Sequence, residues 1–247
     1  VQASLPYDAF LLAEARTRQS RAAKGDKLAA AQIRLYEMHT ALLKGDIGIV
    51  PSGLPLDWDV AFFEDAGYDN QIRRETLLSA AVRLGRVESV KLLLSAGASP
   101  NVHDYEGITP LSWAGELDDG ECCALMVEAL LESGADANLR DVAPRSGSAT
   151  SGNKYSPLEA LLYSVTACDP PETQRLKLRA AELLCAHGAD ASQTIEHNDI
   201  FDWNEGKSGK YIQSALRIAS VGPDEGWNVA LRDQYLRVLH TGMKRST

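Results

Sequence analysis

Apolar positions along residues 87–94 fall at Val87, Val90, Leu93 and Leu94, the spacing of one face of a helix. Just upstream, Thr76 precedes a run of small apolar residues, Ala80, Ala81 and Val82, which predicts a second, shorter helix able to sit close to its neighbours. Gly85 divides the two helices and Gly97 ends the second, each supplying the left-handed backbone that a helix stop needs. Further upstream, Asp26 to Lys44 reads as an amphipathic helix with Leu28, Ile33, Tyr36, Thr40 and Leu43 as its core face and Gly45 as its stop. An earlier helix is predicted from Asp8 to about Ala23, with Gly25 in the turn, so that the two form a hairpin. The stretch Gly48 to Asn70 carries Pro51, Gly53, Pro55 and Gly67 with Trp58, Phe62 and Phe63, and is read as a loop and short helix packed on that hairpin.

The helix pair recurs. Thr76-Leu77-Leu78-Ser79-Ala80-Ala81 is matched 33 residues later by Thr109-Pro110-Leu111-Ser112-Trp113-Ala114. Leu93-Leu94-Ser95-Ala96-Gly97-Ala98-Ser99-Pro100-Asn101 is matched by Leu130-Leu131-Glu132-Ser133-Gly134-Ala135-Asp136-Ala137-Asn138, 37 residues later. The difference places about four extra residues in the interhelix turn, Leu117 to Glu121. A third copy opens at Ser156-Pro157-Leu158-Glu159-Ala160-Leu161 and closes at Leu183-Leu184-Cys185-Ala186-His187-Gly188-Ala189-Asp190. A degenerate fourth opens at Ser214-Ala215-Leu216-Arg217-Ile218-Ala219, with an outer helix over Asn228 to His240 that turns Leu231, Tyr235 and Leu239 inward.

A period near 33 residues with this Thr-Pro-Leu opening resembles the ankyrin repeats, most closely the bacterial type with degenerate units and long insertions. The resemblance implies an all-α ankyrin-repeat solenoid of stacked helix pairs with β-turn fingers and a helical N-terminal cap. Residues 1–74 are then the cap and connecting loop, and 75–247 the array. Its repeats lie near 75–104, 105–141, 156–191 and 214–240, with insertions over 142–155 and 192–213. Both insertions lengthen fingers, and insertions in repeat arrays fall in loops that are often on the binding face.

Charge narrows the partner. The chain of 247 residues carries a formal net charge of −9, which argues against a nucleic-acid backbone and leaves room for a basic protein. No apolar run reaches the length of a membrane span. Cys122, Cys123, Cys168 and Cys185 are expected as free thiols used for packing. If Cys168 and Cys185 sit at opposite ends of one helix, they stand roughly 15 Å apart, too far for a disulfide. Position 1 is Val, which leaves open a cleaved targeting peptide, and with it a periplasmic or exported location or a cytoplasmic one.

The chemistry-bearing patterns fall short. Gly206-Lys207-Ser208 echoes the end of a phosphate loop, but the position five before Gly206 is Phe201 rather than Gly. His39, His103, His187, His197 and His240 are scattered, and Cys122-Cys123 lacks the gap two thiolates need to grip one zinc. Gly147 to Gly152 has the wrong spacing for a nucleophile elbow. No catalytic residue, metal or cofactor is expected.

Carried onto this chain, ankyrin geometry implies a concave partner-binding surface. Its finger-tip positions are His103, Tyr105, Glu106 and Ile108, with Arg140 and Asp141 at the base of the next finger. The exposed inner-helix positions are Arg83, Leu84, Glu116, Leu117, Tyr163 and Ser164, and Phe201 and Trp203 lie in the second insertion. Tyr and Arg are the residue types that dominate binding energy at interfaces. The expected function is non-enzymatic recognition of another protein by a chain monomeric on its own. The specific form favoured is an inhibitor or immunity protein that neutralises a bacterial toxin or other toxic, basic enzyme. A scaffold, adaptor or host-directed effector is the alternative, and an enzyme with its site in the N-terminal region is the alternative from another class.

Overall fold

The computed structural model describes residues 19–65, 70–142, 155–166, 168–193, 195–202, 207–213, 215, 218–219 and 229–243. The expected helix-pair architecture is the observed one, with two antiparallel hairpins added. The chain divides into two compact units, Val1–Ala98 and Ser99–Thr247.

In the first unit, residues 19–23 are helical and the chain reverses through Gly25, whose φ is 88°. The rest of the predicted Asp8–Ala23 helix lies outside the described residues. Helix α1, Lys27–Lys44, begins at Asp26, whose carboxylate accepts from the backbone N–H groups of Leu28 and Ala29. Its buried residues are Ala29, Leu35, Met38, His39 and Leu42. This corrects the sequence reading, because Leu28, Tyr36 and Leu43 are about half exposed, at 49%, 50% and 48%. The packed face is rotated from the predicted stripe and centred on Leu35, Met38 and Leu42, with the buried His39 included.

Strands β1, Val60–Asp65, and β2, Asn70–Glu75, pair antiparallel with Val60 opposite Glu75 and Phe63 opposite Ile72. This replaces the predicted short helix in Gly48–Asn70. Val60, Phe62 and Phe63 are residue types at home on a pleated surface, and the run is too short for its period to separate helix from strand. Helices α2, Leu77–Arg83, and α3, Val87–Ser95, follow as the expected pair. The small inner helix is almost wholly buried, with Ala80, Ala81 and Val82 at 0% exposure. The loop after α1 is tied to α3 through Ser89, whose hydroxyl donates to Asp46 Oδ1 at 2.7 Å and accepts from the Ile47 N–H at 2.9 Å.

The second unit contains α4, Pro110–Gly115; α5, Gly120–Glu132; α6, Pro157–Ser164; α7, Pro171–Ala186; and α8, Val229–Met243. The hairpin of β3, Ile195–Asp202, and β4, Lys207–Gln213, lies between α7 and α8 in sequence, with a register shift between His197 and Ile200. Inner helices α4 and α6 pack on each other, and the outer helices form a second row, α5 on α7 and α7 on α8. Gly115 allows the inner row to close, since a β-carbon there would stand 2.9 Å from the Leu161 backbone nitrogen. Leu231, Tyr235 and Leu239 are buried as predicted.

Consecutive repeats of this unit are also stitched by one side chain each. Asn101 donates to the Gly134 carbonyl and accepts from the Asp136 N–H. Asn138 repeats both bonds with Gly188 and Asp190, at 2.8 and 2.7 Å. All four cysteines are free thiols. Among the described residues no helix is long and apolar enough to cross a membrane.

Candidate partner-binding surface

The finger of the second unit is built around Asp104. Its backbone N–H donates to the Ile108 carbonyl, one carboxylate oxygen accepts from the Ile108 N–H, and the other accepts from Trp113 Nε1 at 2.8 Å. The side chain is 1% exposed, so the tight turn that presents Tyr105 and Glu106 is held from inside. Gly107 completes the turn at φ 80°, and its carbonyl accepts from the Val142 N–H of the next finger. A β-carbon at Gly107 would stand 2.3 Å from the Val142 oxygen, so this contact requires glycine.

Asp141 occupies the same place one finger later, and it reaches back. Its Oδ1 accepts from the Thr109 N–H at 2.9 Å, at the first turn of α4, while its own N–H donates to the Tyr155 carbonyl. Burial pushes its carboxyl up to about 7; the bonds from Thr109 and Ser112 oppose that rise, and Glu116 and Asp104 add to it. Glu116 is likewise held above the ordinary carboxylate range, by desolvation first and Asp104 second, although much of its side chain stays exposed. Of these three carboxylates only Glu116, the C-cap of α4, is exposed; Asp104 and Asp141 are buried.

The two arginines read as binding residues have structural work. Arg140 is only 15% exposed and forks onto Glu159, with its guanidinium nitrogens 2.6 and 3.1 Å from the two carboxylate oxygens. Glu159 is itself the third helical residue of α6 and accepts from the Ser156 N–H, closing a capping box. In the first unit Arg83 forks onto Glu75 in the same way, at 3.0 and 2.8 Å, and His39 Nε2 donates to the same carboxylate at 2.9 Å. Burial works to raise the Glu75 carboxyl, and the His39 and Arg83 bonds outweigh it, leaving it below the ordinary range. Each pair fixes a buried carboxylate beside the start of an inner helix.

The remaining predicted positions divide. In the second unit His103 is half-buried and its Nε2 donates to the Arg140 carbonyl at 2.8 Å, so it ties one finger to the next. Tyr105, Glu106 and Ile108 are half-buried on the turn, and Leu117 follows α4. Tyr163 packs its ring against Tyr155 with centroids 4.8 Å apart. The Ser164 hydroxyl is within bonding reach of the Gly115 carbonyl at 2.7 Å. These side chains belong to one continuous set of fingers and inner helices in the second unit. In the first unit, Leu84 is the half-buried C-cap of α2. Phe201 is on β3, and Trp203 lies outside the described residues.

Sequence reasoning named Glu116 and Asp141 as binding positions but not Asp104, Glu159 and Glu75, the carboxylates that hold the turn and the two arginines. Asp104, three residues before Gly107 and five before Thr109, carries a readable signal in the turn spacing, and Ser156 with Glu159 spells a capping box. Glu75 had no such signal, because its partners His39 and Arg83 come from separate elements. Among the described residues no group of three or more His, Cys, Asp or Glu is arranged to hold a metal.

A family model described as ankyrin repeats, in three copies, matches residues 28–141. The match takes in α1, both strands of the first hairpin and helices α2 to α5, and stops before the third and fourth helix pairs. No curated protein matches the chain.

Proposed function

Because the chain is an ankyrin-repeat protein, and ankyrin repeats serve protein–protein interaction, we propose that it is a non-catalytic binder of a basic protein, held at the fingers and inner helices of the second unit. The observation that carries this reading is the turn that offers Tyr105 and Glu106, held from inside by the buried Asp104, with the exposed Glu116 at the end of α4. A lysine or arginine approaching there meets the exposed Glu116 carboxylate, which desolvation and then the buried Asp104 hold above the ordinary range. Aromatic residues beside it supply the apolar area on which interfaces rest.

Within that reading we favour an inhibitor that covers the active site of a toxic enzyme, as an immunity protein does. An overall charge of −9 speeds encounter with a basic enzyme, and elongated fingers suit insertion into a cleft. The adaptor or effector alternative differs in requiring several partners of moderate affinity.

The test is affinity capture from the native cell with mass spectrometry. The wild-type chain would be run beside Tyr105→Ala/Glu116→Gln, a pair that leaves both buried arginine–glutamate forks intact. One dominant basic partner, retained by the wild type and lost by the variant, supports the inhibitor reading. Retention by both proteins removes the finger assignment, and a spread of weak partners favours the adaptor.

A further inference from the structure

On the outer row, away from the fingers, α7 and α8 enclose a groove of about 470 Å³. One wall is Arg179, Glu182, Leu183 and Ala186, a continuous stripe on α7; Arg237, Val238 and Thr241 form the other. The two helices touch at Cys185 and Gly242, near both C-terminal ends, where a β-carbon on Gly242 would stand 2.7 Å from the Cys185 β-carbon. Glycine therefore lets the ends meet, and the groove opens above that contact. Arg179 lies six residues before Cys185 and Arg237 five before Gly242. At 1.5 Å per residue these are about 9 and about 7.5 Å back along their helices, so the two arginines start from similar levels on facing walls.

Their charges are poorly answered. Arg179 is 55% exposed and its ion pair, with Glu128 of α5, is long at 3.5 Å. Arg237 is exposed and makes no side-chain hydrogen bond or ion pair among the described residues. With Glu182 included, the titratable residues of the groove sum to one positive charge in a chain whose total is −9. C-terminal to the arginines the two walls are lined by the apolar Leu183, Ala186 and Val238.

We propose that this groove docks an acidic segment of a partner protein, with a carboxylate bridging Arg179 and Arg237 and an adjacent apolar side chain against Leu183 and Val238. The site is separate from the fingers and takes the opposite charge, so one chain holds two partners of unlike chemistry. Arginine suits the role, since its planar fork binds a carboxylate through two parallel bonds.

The test uses a fluorescein-labelled peptide of alternating glutamate and leucine, titrated with the full chain and read by fluorescence anisotropy. Saturable binding is expected, weakened about tenfold or more in Arg179→Gln/Arg237→Gln. Val238→Glu should abolish it while the circular dichroism melt stays that of a folded protein. The finger variant Tyr105→Ala/Glu116→Gln should bind the peptide as the wild type does, which separates this groove from the proposed finger surface. Equal binding of a glutamine–leucine peptide, equal binding by the arginine double variant, or no saturable binding would overturn the proposal. Saturation by decanoate with no peptide binding would also overturn it, since the groove would then serve a small carboxylate.

Discussion

Asp141 sets a pH dependence whose sign can be worked out. Its carboxyl rests at about 7 in the folded chain, against a value near the ordinary 3.8 once unfolded. The folded state therefore holds the proton more tightly, and the stability this gives is complete below about pH 4. It is lost as pH rises through about 7, a change on the order of 4 kcal/mol at most. Asp141→Asn keeps an oxygen acceptor for the Thr109 N–H and removes the charge. Urea denaturation of both proteins at pH 5, 6, 7 and 8 should show the wild type weakening relative to the variant from pH 5 to about 7 and levelling off by pH 8. A constant difference would show that Asp141 titrates normally. Arg140 makes the complementary case. Arg140→Ala leaves the Glu159 carboxylate, at 1% side-chain exposure, without its forked partner, and should cost about 3 kcal/mol. Arg140→Ala/Glu159→Gln should recover part of that loss in the same denaturation experiment.

At the scale of elements, inner helices are short and gain their order from close approach rather than from length. Gly115 shows the balance of effects. Replacing it by alanine improves helix propensity by about 1 kcal/mol, yet the new β-carbon meets the Leu161 backbone at 2.9 Å. Backbone cannot swing aside as a side-chain tip does, so packing wins, and Gly115→Ala should destabilise by roughly 1–3 kcal/mol in chemical denaturation. The sequence alone gives no reason for this glycine, since the reason lies on another helix. Much else at this scale was legible: the Thr76, Thr109 and Ser156 caps, the helix pairs, and the inward residues of α8 each follow from local pattern. What escaped was the buried face of α1 and the strands of the first hairpin. In both, several apolar residues compete for one core, and tertiary contacts choose between them. Among the finger positions the turn of Tyr105 to Ile108 was readable from spacing. The burial of Arg83 and Arg140 was not, because each depends on a carboxylate whose position only the fold reveals.

At the scale of the whole molecule, acidity and repetition act together. Association with a basic partner should slow steeply as ionic strength rises from 50 to 500 mM, while dissociation changes little, as stopped-flow or surface-plasmon measurements would register. Repeat-to-repeat coupling within the second unit passes through Asn101 and Asn138, so Asn138→Ala should reduce cooperativity as well as midpoint, seen as a shallower urea transition. The inserted stretch after Val142 is a different matter. Its two ends are fastened side by side, Asp141 N–H to Tyr155 carbonyl at 2.9 Å and Val142 N–H to Gly107 carbonyl, so the frame closes before the insert begins. Loop-closure entropy grows only logarithmically with length, and doubling such a loop costs roughly 0.6 kcal/mol. The junction is therefore a natural grafting port: foreign recognition sequences spliced between Val142 and Tyr155 can be exchanged while the surrounding scaffold keeps its own bonds.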